Sequence, residues 1–345
     1  MGVNGMVYIA THKREIIGRQ IHETLEEKRK SEKDTEKELK QFDSSLSQIK
    51  KILEIEKVES EYLTPEVKNW VETDAVKAVK ARVKNWLSLK YPVHIIGPTG
   101  CGKTILALQT AKELGRPVVW INGDESVTTT DLIGGYSQVE VSTVRDKFIH
   151  NVYKDKDVLK ADWVDNPLTL ACKYGYTLVY NEFSRSRAAA NNVLLSIFTE
   201  GILELPTQFG EERYVKVHPN FNAIFTSNSI EYAGVHRPQD ALLDRMIGVY
   251  MDYYNKETEA KIVAAHSGIK DEHALAVVDM LRALREKSPQ EELTGTRAGV
   301  MIAQALKLAN KYDKQSIKQL LADVITSKTK NIQHYDEKMK IVEKL

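Results

Sequence analysis

Hydrophobic and polar positions change rhythm three times along the chain. From Arg19 to Thr64 there is neither glycine nor proline, and acidic and basic residues alternate densely. Leu39, Phe42, Leu46, Ile49 and Leu53 follow one another at 3,4,3,4 spacing, and Ile21 and Leu25 share that register, but Lys28, Glu32 and Thr35 interrupt it. The pattern predicts a charged helical N-terminal extension over residues 1–64 with a two-heptad apolar seam, not a sustained coiled coil. Such an extension reads either as a solvated helix or as an arm that binds a partner. Pro65 breaks it, and Glu66 to Lys90 resumes a helical pattern whose apolar face carries Trp70, Val71, Ala75, Val76, Val79, Val83 and Trp86.

The second rhythm is an alternation of short apolar runs with helix-like stretches. Tyr91 to Ile96, Val118 to Ile121, Thr177 to Tyr180 and Ala223 to Thr226 read as strands buried on both faces, which implies a parallel sheet covered by helices. Beyond about Lys256 the strands stop. Helical segments follow around Glu257 to Ala265, His273 to Lys287, Arg297 to Tyr312, Gln315 to Thr326 and Tyr335 to Lys344. The expected organisation is an extension (1–64), an α/β domain (65–255) and an all-helical domain (256–345).

Composition narrows the function. The 345 residues include 49 Lys+Arg against 48 Asp+Glu, a net charge of +1, so no broad basic field is available to attract nucleic acid. A nucleic-acid motor is further disfavoured by the lack of interleaved basic and aromatic residues. Cys101 and Cys172 are too few and too distant for a disulfide framework or a clustered metal site, which fits a reducing, cytoplasmic setting. No run approaches the roughly 18 apolar residues of a membrane span. The short apolar stretch Met6 to Ala10, followed by His12, Lys13 and Arg14, is no signal peptide, so no membrane partner is expected.

The sharpest chemistry lies just after the first strand. Gly97, Pro98, Thr99, Gly100, Cys101, Gly102, Lys103 and Thr104 match G-x-x-x-x-G-K-[ST] in full and open a helix from Ile105 to Leu114. Glycines let successive amides turn toward phosphate oxygens at a helix N-terminus; Lys103 neutralises the β/γ-phosphates, and the Thr104 hydroxyl can ligate Mg²⁺. Cys101 reads first as a small residue filling a tight turn. Its place at a helix N-terminus also raises the alternative of a lowered thiol pKa and easy oxidation.

Hydrolysis needs an acidic group near the metal and another for the attacking water, and the end of the strand Leu178-Val179-Tyr180 supplies Asn181 and Glu182. Glu182 is the candidate that polarises water. Asn181 stands where an Asp is usual; its carbonyl can accept a hydrogen bond from a metal-bound water but brings no charge to Mg²⁺. Asn228, after the strand Ile224-Phe225-Thr226, reads as a sensor or water-orienting residue. Arg245, ending the helix-like Leu242-Leu243-Asp244, reads as an arginine finger for a neighbouring subunit, and Arg297 as a group that closes over the γ-phosphate with the helical domain.

With these elements in order, residues 66 to 345 resemble the AAA+ ATPases, and within them the MoxR-like branch. Asp131-Leu132-Ile133-Gly134-Gly135-Tyr136, the run from Gly175 to Arg187, Ala190 to Ser196, Glu200-Gly201-Ile202-Leu203 and Glu231 to Val235 are similar to the gas vesicle family of that branch. The alternative is an activator ATPase of the CbbQ/NirQ type, and a third reading is a nucleotide-gated scaffold with little turnover.

The gas vesicle resemblance implies a P-loop NTPase fold of AAA+ type, with a parallel sheet core, a C-terminal helical lid, and ATP and Mg²⁺ as cofactors. It implies a metal role for Thr104 and Asn181, water chemistry at Glu182, sensors at Asn228 and Arg297, and a finger at Arg245. It also implies an ATP-dependent homo-hexameric ring working on gas vesicle shell or accessory proteins. Two insertions are implied, one within roughly 135–165 and a hairpin within roughly 202–218. The second is also legible directly, because Gly201 to Leu205 and Tyr214 to His218 alternate around Gln208-Phe209-Gly210.

Overall fold

A computed structural model describes residues 64–148, 152–207, 213–228, 236, 238–287, 294–326 and 332–344. The charged N-terminal extension lies outside them, except for Thr64. The chain enters through an irregular stretch to Thr73, whose hydroxyl caps helix α1 (Asp74–Ser88) by accepting from the Val76 amide. The helical periodicity from Glu66 is therefore only partly realised. Asn69 adopts a left-handed backbone (φ 52°), and Thr73 followed by Asp74 offers a better start, with an acidic residue in the first turn. Trp70 and Val71, freed from the helix, line a cavity instead.

Strands β1 (Val93–Gly97), β2 (Val118–Asn122), β5 (Thr177–Asn181), β8 (Asn222–Asn228) and β9 (Ile247–Tyr250) form one parallel sheet in the order β2-β5-β8-β1-β9. Four answer to the predicted runs. The fifth, β9, is short and interrupted by Gly248, which leaves little apolar signal. Alternation along the central strands feeds two cores: Leu178, Tyr180 and Phe225 pack toward Leu168, Phe183 and Leu194, whereas Val179 and Ile224 pack toward Val83, Val93, Ile95 and Leu106. That is the two-sided burial that a sheet with helices on both faces requires. Helix α2 (Lys103–Glu113) follows β1 directly.

Two antiparallel pairs depart from this layer. Helix α3 (Thr129–Ile133), begun by a capping box of Thr128 and Asp131, runs into β3 (Gly134–Phe148), which pairs with β4 (Val152–Asp165) along nearly its whole length. At the base of this long hairpin Tyr136 meets Trp163 edge to face at 5.4 Å, and the Trp163 indole donates to Asp165 at 2.9 Å. The shorter pair, β6 (Ile202–Glu204) with β7 (Tyr214–Lys216), is the hairpin read from the sequence; its turn falls outside the described residues.

Helix α4 (Pro167–Tyr174) and the short helices α5 (Ala188–Asn191), α6 (Val193–Glu200) and α7 (Asp240–Leu243) complete the α/β part. The C-terminal helices are α8 (Lys256–Ser267), α9 (Asp271–Lys287), α10 (Thr296–Ala309), α11 (Lys314–Thr326) and α12 (Ile332–Glu343). Val277, Leu281, Ile302, Leu306 and Leu321 form a core of their own. Among the described residues no helix is long and apolar enough to cross a membrane.

Candidate functional site

The carboxyl ends of β1, β5 and β8 converge beneath α10. In the loop after β1, Gly100 and Gly102 have φ of 78° and 101°, a left-handed backbone open to glycine at little cost, and Gly102 caps α2. Lys103, the first residue of α2, is buried; its Nζ donates to the carbonyls of Gly97 (3.0 Å) and Pro98 (2.8 Å) and to Asn228 Oδ1 (3.0 Å). Burial pushes this ammonium down from the ordinary lysine range.

Thr104 donates through Oγ1 to Asn181 Oδ1 at 2.7 Å, and the Thr226 hydroxyl donates to the same oxygen at 2.9 Å. The other end of the amide, Asn181 Nδ2, donates to Asn122 Oδ1 at 2.7 Å, a partner directly opposite in the β2–β5 register. Asn181 thus links three elements as a neutral group.

Glu182 sits one residue beyond β5 with φ 52° and ψ 38°, a left-handed conformation that costs a non-glycine residue on the order of 1 kcal/mol. Its amide donates to Thr226 Oγ1 (3.3 Å), and its Oε2 accepts from Asn228 Nδ2 (3.0 Å). Asn228 therefore bridges Lys103 and Glu182.

Beside the strand bearing Asn228, His94 is buried on β1. Its Nε2 lies 2.6 Å from Ser227 Oγ, and its ring meets Phe183 edge to face at 5.6 Å. Burial lowers its pKa to about 4, so at neutral pH it is an uncharged support.

Thr104, Lys103, Glu182, Asn228 and Arg297 line one cavity of about 340 Å³, within the range of small-ligand sites. Its lining holds two cations, Lys103 and Arg297, and the single carboxylate of Glu182. Trp70, Val71, Tyr254, Ile262, His266 and Val300 line it too. The sequence reading missed these residues. Thr73-Asp74, a helix-start pair, was the available signal that Trp70 and Val71 lie outside α1. Lys80 holds the Trp70 segment from behind: it pairs with Glu72 and with Glu113 of α2, and its ammonium lies 5.7 Å from the Trp70 ring.

Two expectations fare differently. Arg245 lies outside the cavity, with Nε donating to Thr199 and Nη1 to the Ala241 carbonyl. Cys101 is buried, and burial raises its thiol pKa against the opposing pull of Lys103. Both features favour the small residue packed in a turn, its Sγ 3.8 Å from the Met251 carbonyl, over the activated thiol.

The lid touches the loop directly. Gly295, which precedes α10, lies so close that a Cβ there would fall 2.6 Å from the Thr99 oxygen and 2.9 Å from Gly100 Cα. A glycine loop at the head of a helix, polar groups on the ends of adjacent parallel strands and a helical lid carrying an arginine define a nucleotide-binding AAA-type ATPase. The AAA domain (dynein-related subfamily) family model matches residues 92–246.

The chain belongs to the gas vesicle ATPase GvpN family. It is 48% identical over 330 residues to gas vesicle ATPase GvpN of Haloferax mediterranei, covering 95% of this chain and 93% of the relative. It is 52% identical over 269 residues to gas vesicle ATPase GvpN1 of Halobacterium salinarum, covering 78% and 77%. Protein CbbQ of Hydrogenophilus thermoluteolus is a more distant likeness, 26% identical over 191 residues and covering 55% and 64%.

Proposed function

We propose that this chain is a ring-forming AAA+ motor that hydrolyses ATP to remodel, in the manner of a chaperone, a shell or accessory protein during gas vesicle assembly in the cytoplasm. The carrying observation is the convergence of Lys103, Glu182 and Asn228 with the lid residue Arg297 on one cavity. The names of the relatives supply the biological setting. In this reading the base and ribose lie toward Trp70 and Val300, and the loop from Gly97 to Thr104 cradles the phosphates. Lys103 exchanges its loop carbonyls for phosphate oxygens. Arg297 draws toward the γ-phosphate, Asn228 orients the attacking water, and Glu182 accepts its proton.

Mg²⁺ suits the donor set. The Thr104 hydroxyl and the Asn181 carbonyl are hard oxygens 2.7 Å apart, adequate for an ion that keeps several waters and takes its charge partners from the nucleotide. When bound, it would neutralise charge on the β- and γ-phosphates. Thr104 and Asn181 would hold it.

Arg245, free of the chain's own cavity, serves as the finger for the next protomer. A finger acting in trans requires a closed ring, so ATP-dependent hexamers are expected in light scattering. Glu182→Gln should lower phosphate release by about 10²-fold or more while ATP still binds. Arg245→Ala should reduce turnover in proportion to its share of mixed rings. A protein monomeric with ATP, whose turnover is indifferent to Arg245→Ala, would falsify the ring motor. The neutral Asn181 favours one rival, the nucleotide-gated scaffold; equal phosphate release from wild type and Glu182→Gln would establish that rival instead.

A further inference from the structure

Between the lid and the phosphate loop runs a polar circuit, buried at its centre and open to solvent where it reaches the loop, to which none of the roles above assigns a part. Its centre is Glu259 on α8, whose carboxylate is almost wholly buried. Oε1 accepts from the Thr296 hydroxyl at 2.6 Å, and both oxygens accept from Arg285 Nη1 at 2.9 Å. Arg282 Nη1 adds a third donor, at 3.0 Å from Oε2, and also donates to the Tyr254 carbonyl.

From Arg285 the circuit turns back to the α/β part. Its guanidinium lies 3.9 Å from the Tyr253 ring centroid, and the Tyr253 hydroxyl donates to the Thr99 carbonyl of the phosphate loop at 3.0 Å. Arg285 Nε meanwhile holds the Thr294 carbonyl at 2.6 Å, just before α10. Thr296 is the first residue of α10, and Arg297 is the next.

We propose that Glu259 is a positioning residue: through Thr296 it sets Arg297 over the cavity, and through Arg285 and Tyr253 it ties that setting to the phosphate loop. A buried carboxylate facing two guanidiniums is weak evidence for stability, since an apolar replacement of the set is often neutral, but it fixes direction well. Here Thr296 leads from Glu259 straight into α10, and Arg285 and Arg282 lead on to Thr294, Tyr253 and Tyr254. The circuit fixes two ends of one apparatus, the loop beneath the phosphates and the arginine above them, so that they move together.

This inference rests on the reading of Arg297 as a γ-phosphate group. Glu259→Ala would leave two guanidiniums without a countercharge and is expected to unfold the lid, so the test uses Thr296→Val, which keeps shape without the hydroxyl, and Tyr253→Phe, which keeps the ring under Arg285. Turnover, melting temperature, and affinity for ADP and for the non-hydrolysable adenylyl imidodiphosphate are measured on the full chain, with and without Arg297→Ala. Each variant should lower turnover about tenfold, the scale of a sub-ångström misplacement, and weaken the triphosphate analogue at least about fivefold more than ADP. Both effects should vanish in the Arg297→Ala background, and Thr296→Ser should restore activity. Equal loss of both nucleotides, or an undiminished effect beside Arg297→Ala, would overturn the proposal and leave the circuit a stabilising one. If Arg297→Ala alone changes neither triphosphate affinity nor turnover, the reading of Arg297 itself falls first and takes this inference with it. That outcome is distinguishable because it precedes any circuit variant.

Discussion

Gly295→Ala isolates the contact between lid and loop. Gly295 has φ −71° and ψ 167°, extended backbone that alanine adopts freely, so the substitution adds a methyl group without backbone strain. That methyl would lie 2.6 Å from the Thr99 oxygen and 2.9 Å from Gly100 Cα, where real Cβ contacts stay above 3.0 Å. Both obstacles are backbone atoms, and Tyr253 holds one of them, so no flexible side chain can yield. Lid and loop must separate by at least about 0.4 Å, and by roughly 0.8 Å for an ordinary contact, with an overpacking cost of about 1–3 kcal/mol.

Arg297, two residues on, is carried away with the lid. Since about 1 Å of misplacement costs up to roughly 10²-fold in rate, phosphate release should fall between about 10- and 100-fold, with ADP affinity changed much less. Steady-state phosphate release, ADP titration and a melting curve make the assay. Gly248→Ala, whose Cβ meets nothing within 4 Å, is the control. Turnover within about twofold of wild type would mean that the closed lid is not the state that hydrolyses.

Three further outcomes are expected. Asn181→Asp keeps both threonine donors and adds a charge, so the Mg²⁺ concentration giving half-maximal turnover should fall about tenfold in a metal titration; an unchanged midpoint would place the ion elsewhere. His94 has a folded-state pKa of about 4, below its unfolded value of 6.5, so the unfolded chain binds the extra proton in between and stability is lost as pH falls from 6.5 to 4. The slope from this group approaches about 1.4 kcal/mol per pH unit in urea unfolding, and His94→Gln should remove it. Lys80→Met releases the Trp70 segment from Glu72 and Glu113; nucleotide affinity should fall about fivefold, with a red shift in tryptophan emission.

The parts legible in the sequence share one property: their signal is local. The loop from Gly97 to Thr104 and the four short apolar runs announce themselves within eight residues, and the ends of those runs place Asn181, Glu182 and Asn228 without further information. What stayed hidden depends on distant pairing. Glu259, Arg285 and Tyr253 look like ordinary charges and an aromatic until α8, α9 and the segment between β9 and α8 pack together. Gly295 carries no mark of its closeness to Gly100. Trp70 was concealed by a stronger rhythm, since the apolar spacing of α1 extends smoothly backwards past its cap at Thr73. The β3–β4 insertion was expected as an insertion, but its two-strand form follows from pairing between halves, not from either half alone.

That hairpin has a mechanical meaning. With 15 residues in one strand and 14 in the other, it is about 45–50 Å long at roughly 3.3 Å per residue. Its root is narrow: Tyr136 against Trp163, and the Asn166 amide donating to the Ile133 carbonyl at 3.2 Å. The same root connects through α3 to the end of β2, where Asn122 meets Asn181 beside the phosphate loop. Length multiplies rotation. A tilt of about 5° at the root displaces the far end by roughly 4 Å, the scale on which packed elements slide past one another. A turn too small to disturb the Tyr136–Trp163 contact would thus be an excursion of several ångströms at the far end.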